Sequence, residues 1–458
     1  MMSLIGRQWL AAAMLLVASC ASVEPERARP LEPALTPAPM TAWSGLADSA
    51  GHDRLVPMNL GAHALQWRLR ALRSATTSVD LQTFIWKRDS VGLALVREVV
   101  AAAERGVRVR VLLDDSFLAH ADPSLKALSA HPMISYRIYN PAAQRSGNTL
   151  IRDLENLNDF ARINHRMHNK LLVVDGRVAI IGGRNQANEY FGYGSSHNFR
   201  DFELVVGGPF LNQLSAVFDL YWNDPWSIPI EDLVPADDGQ DFASLQAWLR
   251  ENSRAHSEVS MPTAQDWSDL FADAYRADLQ LLVDAPADAA PDLDVPVQLA
   301  EALVRRIDAV ERDLVLVSAY FIPTEALTAA IERAAARGVR VRILTNSLGS
   351  NNHVSAHAAY AAHRPALLAA GAELYELRAD AASREFYLDP SVAKSLFGLH
   401  EKGALFDECC LFVGSANMDP RSLRLNTEVG LLIDSPRLNA RVRTLLEMDL
   451  LPTNAWRV

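Results

Sequence analysis

Cysteine is scarce in this chain, with 3 in 458 residues. Two of them, Cys409 and Cys410, are neighbours in an apolar strand, where adjacent side chains face opposite ways and seldom bridge, so no structural disulfide is expected. Basic charge is short as well. The 44 Lys and Arg against 55 Asp and Glu leave a formal charge of −11. Non-specific binding to nucleic acid depends on clustered cations, so this composition argues against a nucleic acid partner. The only apolar run at the start of the chain, Trp9 to Ala18, is too short to cross a bilayer as a mature helix. The motifs described below contain no carboxylate cluster of the kind that holds a divalent ion; neither metal nor other cofactor is expected.

What the chain does have is a long-period repeat. His168, Lys170 and Asp175 recur as His400, Lys402 and Asp407, so the spacing H-x-K-x4-D occurs twice at an offset of 232 residues. The same offset carries Arg105-Gly106-Val107-Arg108 onto Arg337-Gly338-Val339-Arg340, and Gly182-Gly183-Arg184-Asn185 onto Gly414-Ser415-Ala416-Asn417. A period this long means two fused copies of one domain rather than a solenoid.

Each copy reads as a strand, a helix stopped by glycine, and a second strand. The first copy has Ser78 to Trp86, Val91 to Arg105 and Arg108 to Leu113; the second has Leu314 to Phe321, Glu325 to Arg337 and Arg340 to Thr345. Such alternation predicts an α/β fold, a mixed and mainly parallel sheet flanked by helices in each lobe. The motif histidines precede the later strands Leu171 to Val174 and Ala404 to Phe406, and a pseudo-twofold would bring them together at the lobe interface. The expected segments are 56–230 and 291–458 for the lobes, with an interlobe connection at 231–290 holding one helix near Asp241 to Arg250. Trp222, Trp226 and Trp267 flank that connection and are expected to be buried at the lobe junction.

Two imidazoles and two ammonium groups suit a two-step displacement at phosphorus, in which one histidine attacks and the other protonates the departing alcohol. A phosphodiester is the expected substrate. Lys170 and Lys402, two residues from their histidines, share a strand face with them, while Asn185 and Asn417 could add donors to the phosphate oxygens. The motif's six residues, His168, Lys170, Asp175, His400, Lys402 and Asp407, are therefore the catalytic candidates. Asp175 and Asp407, five residues past their lysines, are better placed to anchor the lobe than to touch substrate. Asp201 and Glu428 are candidates to orient the imidazoles, since a carboxylate behind a histidine fixes its tautomer. Arg166, Arg184, Arg421 and Arg424 are candidates for phosphate contacts.

These motifs resemble the phospholipase D superfamily over roughly residues 56 to 450, and Arg166-Met167-His168-Asn169-Lys170 with Gly414-Ser415-Ala416-Asn417-Met418-Asp419-Pro420 is similar to the bacterial cardiolipin synthases. The second copy matches the pattern best, with Ser415, Asn417 and Glu428 in place. In the first copy Gly183 stands where the pattern has serine, and the acid is Asp201 after a longer loop. The resemblance implies His168 as nucleophile, His400 as acid and base, Ser415 as a substrate-site residue with Asn185 and Asn417, and a phosphatidyltransferase acting on phospholipids at a membrane surface as a monomer. Hydrolysis of phospholipids is the alternative, and a secreted nuclease a further one.

Met1 to Cys20, with Arg7, the apolar run and small residues before a cysteine, has the layout of a secretion signal. Val17-Ala18-Ser19-Cys20 resembles a bacterial lipobox, which implies lipidation of Cys20. With Ala21 and Ser22 following rather than aspartate, a periplasm-facing outer-membrane anchor is expected. The stretch 21–55, with Pro25, Pro30, Pro33, Pro37 and Pro39, is expected to be an extended, poorly packed tether.

Overall fold

The computed structural model describes residues 23–46, 51–235, 241–286 and 298–458; Cys20 and the leader lie outside them. In chain order the first lobe's strands are β1 (Arg54–Met58), β2 (Ser78–Thr83), β3 (Arg108–Asp114), β4 (Ile134–Tyr139), β5 (Leu171–Val174), β6 (Val178–Gly182), β7 (His197–Arg200), β8 (Glu203–Gly207), β9 (Ser227–Pro229) and β10 (Tyr275–Arg276). Those that follow are β11 (Asp278–Val283), β12 (Asp313–Ser318), β13 (Arg340–Asn346), β14 (Glu373–Leu377), β15 (Leu396–Leu399), β16 (Lys402–Phe406), β17 (Cys410–Gly414), β18 (Val429–Asp434) and β19 (Ala455–Arg457).

Two large sheets result, ordered β10-β1-β8-β6-β5-β2-β3-β4-β9 and β11-β18-β17-β16-β12-β13-β14-β19, with a third, two-stranded sheet of β15 and β7. The β-α-β units form where the sequence places them. Asp89 caps the helix Ser90–Glu104 by accepting from the Gly92 N–H at 3.0 Å, and Gly106 ends the turn at a positive φ of 87° that suits glycine. Thr324 and Gly338 do the same for the helix Glu325–Ala336. Within the two large sheets, parallel pairing is confined to β2-β3-β4 and β12-β13-β14. The rest of each sheet is antiparallel, a narrower parallel portion than expected, because β5 to β6 and β16 to β17 are joined by turns too tight for a crossover.

Burial on both faces follows the strand period of two. Leu171 and Val173 of β5 enter a core shared with Leu405, Leu411, Val413 and Leu431 of the second lobe, while Leu172 and Val174 face the first lobe's helices. The shared core between the sheets also takes in the helices Leu211–Trp222 and Pro436–Asp449, while the first lobe's remaining core lies on the other face of its sheet. Trp222 is fully buried in the shared core, as expected, but Trp267 packs with Trp43 and Trp67 inside the first lobe. Trp226 is half-buried beneath the Arg162 guanidinium.

Two expectations about the connecting segments change. The stretch from 231 holds a second substantial helix, Ala264–Ala272, started by a capping box between Thr263 and Asp266 and held down by Trp267 and Phe271. It also supplies β10 to the first sheet and β11 to the second. The proline-rich stretch is packed rather than loose: Glu32 pairs with Arg108 and Arg137, the Ala38 N–H bonds Asp175 O at 2.8 Å, and Trp43 is buried. Few apolar groups are needed when one tryptophan and one doubly paired glutamate do the fixing.

Candidate active site

The site arises where the lobes exchange strands. β7 of the first lobe pairs in parallel with β15 of the second, Arg200 opposite Leu399, and the His400 N–H donates to Arg200 O at 2.8 Å. Across the pseudo-twofold, Met167 bridges Thr427 in parallel, and the His168 N–H donates to Thr427 O at 2.9 Å. In both places the residue after the accepting carbonyl is an acid, Asp201 or Glu428. Each lobe therefore delivers its carboxylate to the other lobe's histidine. His168 Nδ1 lies 2.9 Å from Glu428 Oε2, and His400 Nδ1 lies 2.6 Å from Asp201 Oδ2.

A second matched pair supports the residue before each histidine. Asp114, at the end of β3, accepts from the Met167 N–H at 2.9 Å, and Asn346, at the end of β13, accepts from the Leu399 N–H at 2.7 Å. These positions are also 232 apart; the same offset applied to strand ends would have found them. Also unread from the sequence are the rings that wall the imidazoles: Phe84 edge-on to His168 at 4.8 Å, Tyr190 edge-on to His400 at 4.8 Å, and Phe199 against His400 at 5.4 Å.

Burial dominates the electrostatics. It pushes His168 down to about 4 and His400 to about 3, against the pull of Glu428 and Asp201. Burial, with Lys402 alongside, lowers Lys170 to about 7, and burial lowers Lys402 to about 8. Although burial works the other way, the histidine that each acid holds, with Lys402 beside Asp201 and Lys170 beside Glu428, keeps both carboxyls below their ordinary range. At neutral pH the arrangement is two neutral imidazoles, each donating Nδ1–H to a carboxylate and keeping the Nε2 lone pair free. Each lysine ammonium donates to the carbonyl of its own histidine, Lys170 to His168 and Lys402 to His400.

The two acids are braced differently. Ser415 Oγ donates to Glu428 Oε2 at 2.5 Å, so this serine supports the acid rather than standing free for substrate. In the first lobe a Cβ on Gly183 would come within 2.2 Å of Asp201 Oδ1, and that oxygen instead accepts from the Phe202 N–H at 2.7 Å. Glycine there is a clearance for the shorter, closer carboxylate. Asn185 and Asn417 follow the matching strands β6 and β17; the Asn185 carbonyl accepts from the Ile85 N–H at 3.1 Å, leaving its amide nitrogen as donor.

Asp175 and Asp407 do not join the cluster. They sit in the turns beyond β5 and β16, at the end away from the histidines, with φ of 56° and 48°. Asp175 accepts from the N–H groups of Thr76, Thr77 and Ser78 at 2.8–2.9 Å, and Asp407 from those of Glu311, Arg312 and Asp313 at 2.8–3.1 Å. Their work is to tie the motif strand to the start of its neighbour. Of the arginines, Arg184 is occupied by the carbonyls of Met58, Asn59, Tyr190 and Asp201. Arg166 lies 3.9 Å from Asp114, Arg421 bonds Asn164 at 2.7 Å, and Arg424 is exposed. Among the described residues there is no group of three or more histidine, cysteine or acidic side chains arranged to hold a metal.

The family described as "Cardiolipin synthase, PLD-like domain" matches residues 69–222 and 303–450, one segment in each lobe. Cardiolipin synthase C of Escherichia coli K12 is 35% identical over 395 residues, covering 85% of this chain and 83% of that protein. Cardiolipin synthase B of the same strain is 26% identical over 378 residues, covering 82% and 75%. The crystal structure of phosphatidylserine synthase from Haemophilus influenzae Rd KW20 shares the fold, with a TM-score of 0.61 at 15% identity over 91% of each chain. With both motif copies intact, both segments matched and a relative this similar over most of its length, the chain belongs to the cardiolipin synthase PLD-like family and is a phosphatidyltransferase of the phospholipase D type.

Proposed function

We propose that this enzyme takes a phosphatidyl group from one phospholipid onto His168 and passes it to an alcohol of another, making cardiolipin. The observation that carries the reading is the pair of buried imidazoles whose Nδ1 atoms are held by the opposite lobe's carboxylates. With Nδ1–H committed, the His168 Nε2 lone pair attacks phosphorus, and the bond to the donor's head-group oxygen breaks as His400 Nε2–H gives that oxygen its proton. The arriving phosphodiester anion supplies the charge that lets His400, low in the empty site, take up this proton. In the second half the neutral His400 removes a proton from the acceptor hydroxyl, whose oxygen attacks phosphorus as the P–N bond to His168 breaks. Lys170 and Lys402 neutralise the equatorial oxygens in both steps. Water in place of the alcohol would give phosphatidic acid instead, so the product depends on how well the closed site excludes it.

A membrane surface as partner is supported by residues 149–163, which are amphipathic the wrong way round for water. In the helix Thr149–Glu155 Arg152 is buried, pairing with Asp122 at 2.8 Å, while Leu150, Ile151, Leu154, Leu157 and Phe160 are exposed. This crest runs directly into Arg166 and His168. An apolar ridge above arginines suits the interface of an anionic bilayer. The lipobox-like Val17-Ala18-Ser19-Cys20 supports a lipid anchor facing the periplasm, on the outer membrane, for a chain acting as a monomer; equal palmitate labelling of wild type and Cys20→Ala would end that anchor.

The test is thin-layer analysis of lipids after the purified protein is incubated with phosphatidylglycerol and phosphatidylethanolamine, with and without DNA. Cardiolipin that disappears in His168→Ala supports the reading. Phosphatidic acid as the sole product would make the enzyme a hydrolase, and degraded DNA with unchanged lipid would make it a nuclease.

A further inference from the structure

Beside the reacting groups, under the helices of the first lobe, lies a cavity of about 510 Å³. Its lining includes Tyr136 of β4, Val96, Leu125, Trp248, Trp86 and Phe117, of which Tyr136 is buried and Phe117 exposed. The lining comes within two rings of the chemistry, since Phe117 meets Phe84 edge-on at 5.5 Å and Phe84 meets His168 at 4.8 Å. The pocket is half open to solvent, so its apolar lining is wetted, and a hydrocarbon occupant would remove that surface from water. Leu245, Trp248 and Leu249 of the lining come from the helix Phe242–Asn252, part of the stretch between the lobes, which packs on the first lobe and adds a wall the motif repeat does not encode. Two cations are part of the lining: Lys87, paired with Glu189, and Arg88, whose guanidinium lies 4.1 Å from the Trp248 ring centre.

We propose that this cavity binds one acyl chain of the phospholipid whose phosphate sits between His168 and His400. The inference rests on the phospholipid reading and adds where the donor's tail goes. A phosphate held at the histidines leaves its diacylglycerol beside Phe84 and Phe117, and the pocket lined by Phe117 offers one acyl chain shelter from water. The assignment also has to account for Tyr136, whose buried hydroxyl has no partner in the protein. A hydrocarbon chain gives it none, so removing that hydroxyl should not weaken binding; a polar occupant would use it.

Soluble phosphatidylglycerols of graded acyl length, each below its micelle concentration, test this with the full chain. In wild type KM should fall about three- to fourfold for each added methylene until the cavity is full, the value expected for burying a methylene. Val96→Trp and Leu125→Trp, which fill the space, should flatten that dependence, and Tyr136→Phe should keep or steepen it. Because a filled variant can misfold, binding is also read in wild type by fluorescence, with a phosphatidylglycerol brominated at the chain end. Quenching should occur and should shrink in Trp248→Phe. An unchanged chain-length slope in both folded filled variants, quenching indifferent to Trp248→Phe, or weaker binding in Tyr136→Phe would each overturn the acyl pocket. Quenching needs no turnover, so an enzyme that binds the bromolipid but transfers no phosphatidyl group would defeat the phospholipid reaction and leave the pocket standing.

Discussion

The two halves of the site reach the same end by different means. In one, His168 is held by a glutamate that needs a serine hydroxyl to keep its longer side chain in place; in the other, His400 is held by an aspartate that is shorter, bonded to the next backbone N–H, and admitted by a glycine. Both acids cross the lobe boundary. The working unit is therefore not a lobe but a histidine from one lobe with a carboxylate from the other, and a duplicated domain has become one machine whose halves cannot act separately.

Removing the histidines should break the comparison most severely. His168→Ala should abolish turnover of both a phospholipid and a p-nitrophenyl phosphodiester. His400→Ala should lose the phospholipid reaction by about 10²–10⁴-fold yet retain first-step reaction with the activated ester, whose leaving group needs little protonation. Radiolabel trapped on His400 in the converse variant would reverse the roles.

The acids come next, each expected to fail like a milder form of the histidine it serves across the interface. Glu428→Gln should slow both substrates, and Asp201→Asn should slow the phospholipid much more than the activated ester, each by roughly 10²-fold or more, as when a histidine loses its orienting acid. Steady-state rates with the two substrates decide it, and the opposite assignment of signatures would mean that each acid serves its own lobe.

The pH profile sharpens the contrast between the lobes at about tenfold per unit. With the p-nitrophenyl phosphodiester, whose leaving group does not need the His400 proton, kcat/KM should rise with pH through about 4, as protonated His168 becomes the neutral nucleophile, and fall above about 7, as Lys170 loses the proton that makes it a phosphate ligand. Lys402 titrates later, at about 8, so Lys170→Arg, which stays charged, should move the alkaline limb up towards that value. An alkaline limb that stays put would remove Lys170 from phosphate binding.

The braces should give the smallest effects and opposite kinds. Gly183→Ala forces Asp201 off His400 and should cost about tenfold in kcat; Ser415→Ala removes a hydroxyl that donates to Glu428 and accepts from the Val429 N–H, and losing the bond to Glu428 should cost about fivefold, the worth of about 1 kcal/mol. Equal rates for wild type and both variants would show that the bracing is irrelevant to turnover.

Much of this architecture is legible in the amino-acid sequence alone. The repeat, the β-α-β units, the histidines and lysines and the anchoring role of Asp175 and Asp407 all lie in local spacing, which short-range geometry translates directly. The exchange of acids is not legible there, because it depends on β7 pairing with β15 and Met167 with Thr427 across more than a hundred residues of chain, and nothing local specifies that partner. Gly183 departs from the sequence pattern and is in fact the clearance that a shorter acid requires. The burial of Trp43 and the helix Ala264–Ala272 leave little trace in the sequence because each rests on one or two large side chains in otherwise polar surroundings, too few to make a period.

The crossing itself can be observed without catalysis. In protein labelled with ¹⁵N-histidine, the two Nδ1–H protons held by buried carboxylates should appear as separate downfield resonances, assigned by their loss in His168→Ala and His400→Ala. Glu428→Gln should shift the His168 resonance and leave that of His400, and Asp201→Asn should do the reverse. A His168 resonance that moves with Asp201 and ignores Glu428 would contradict the exchange of acids between the lobes.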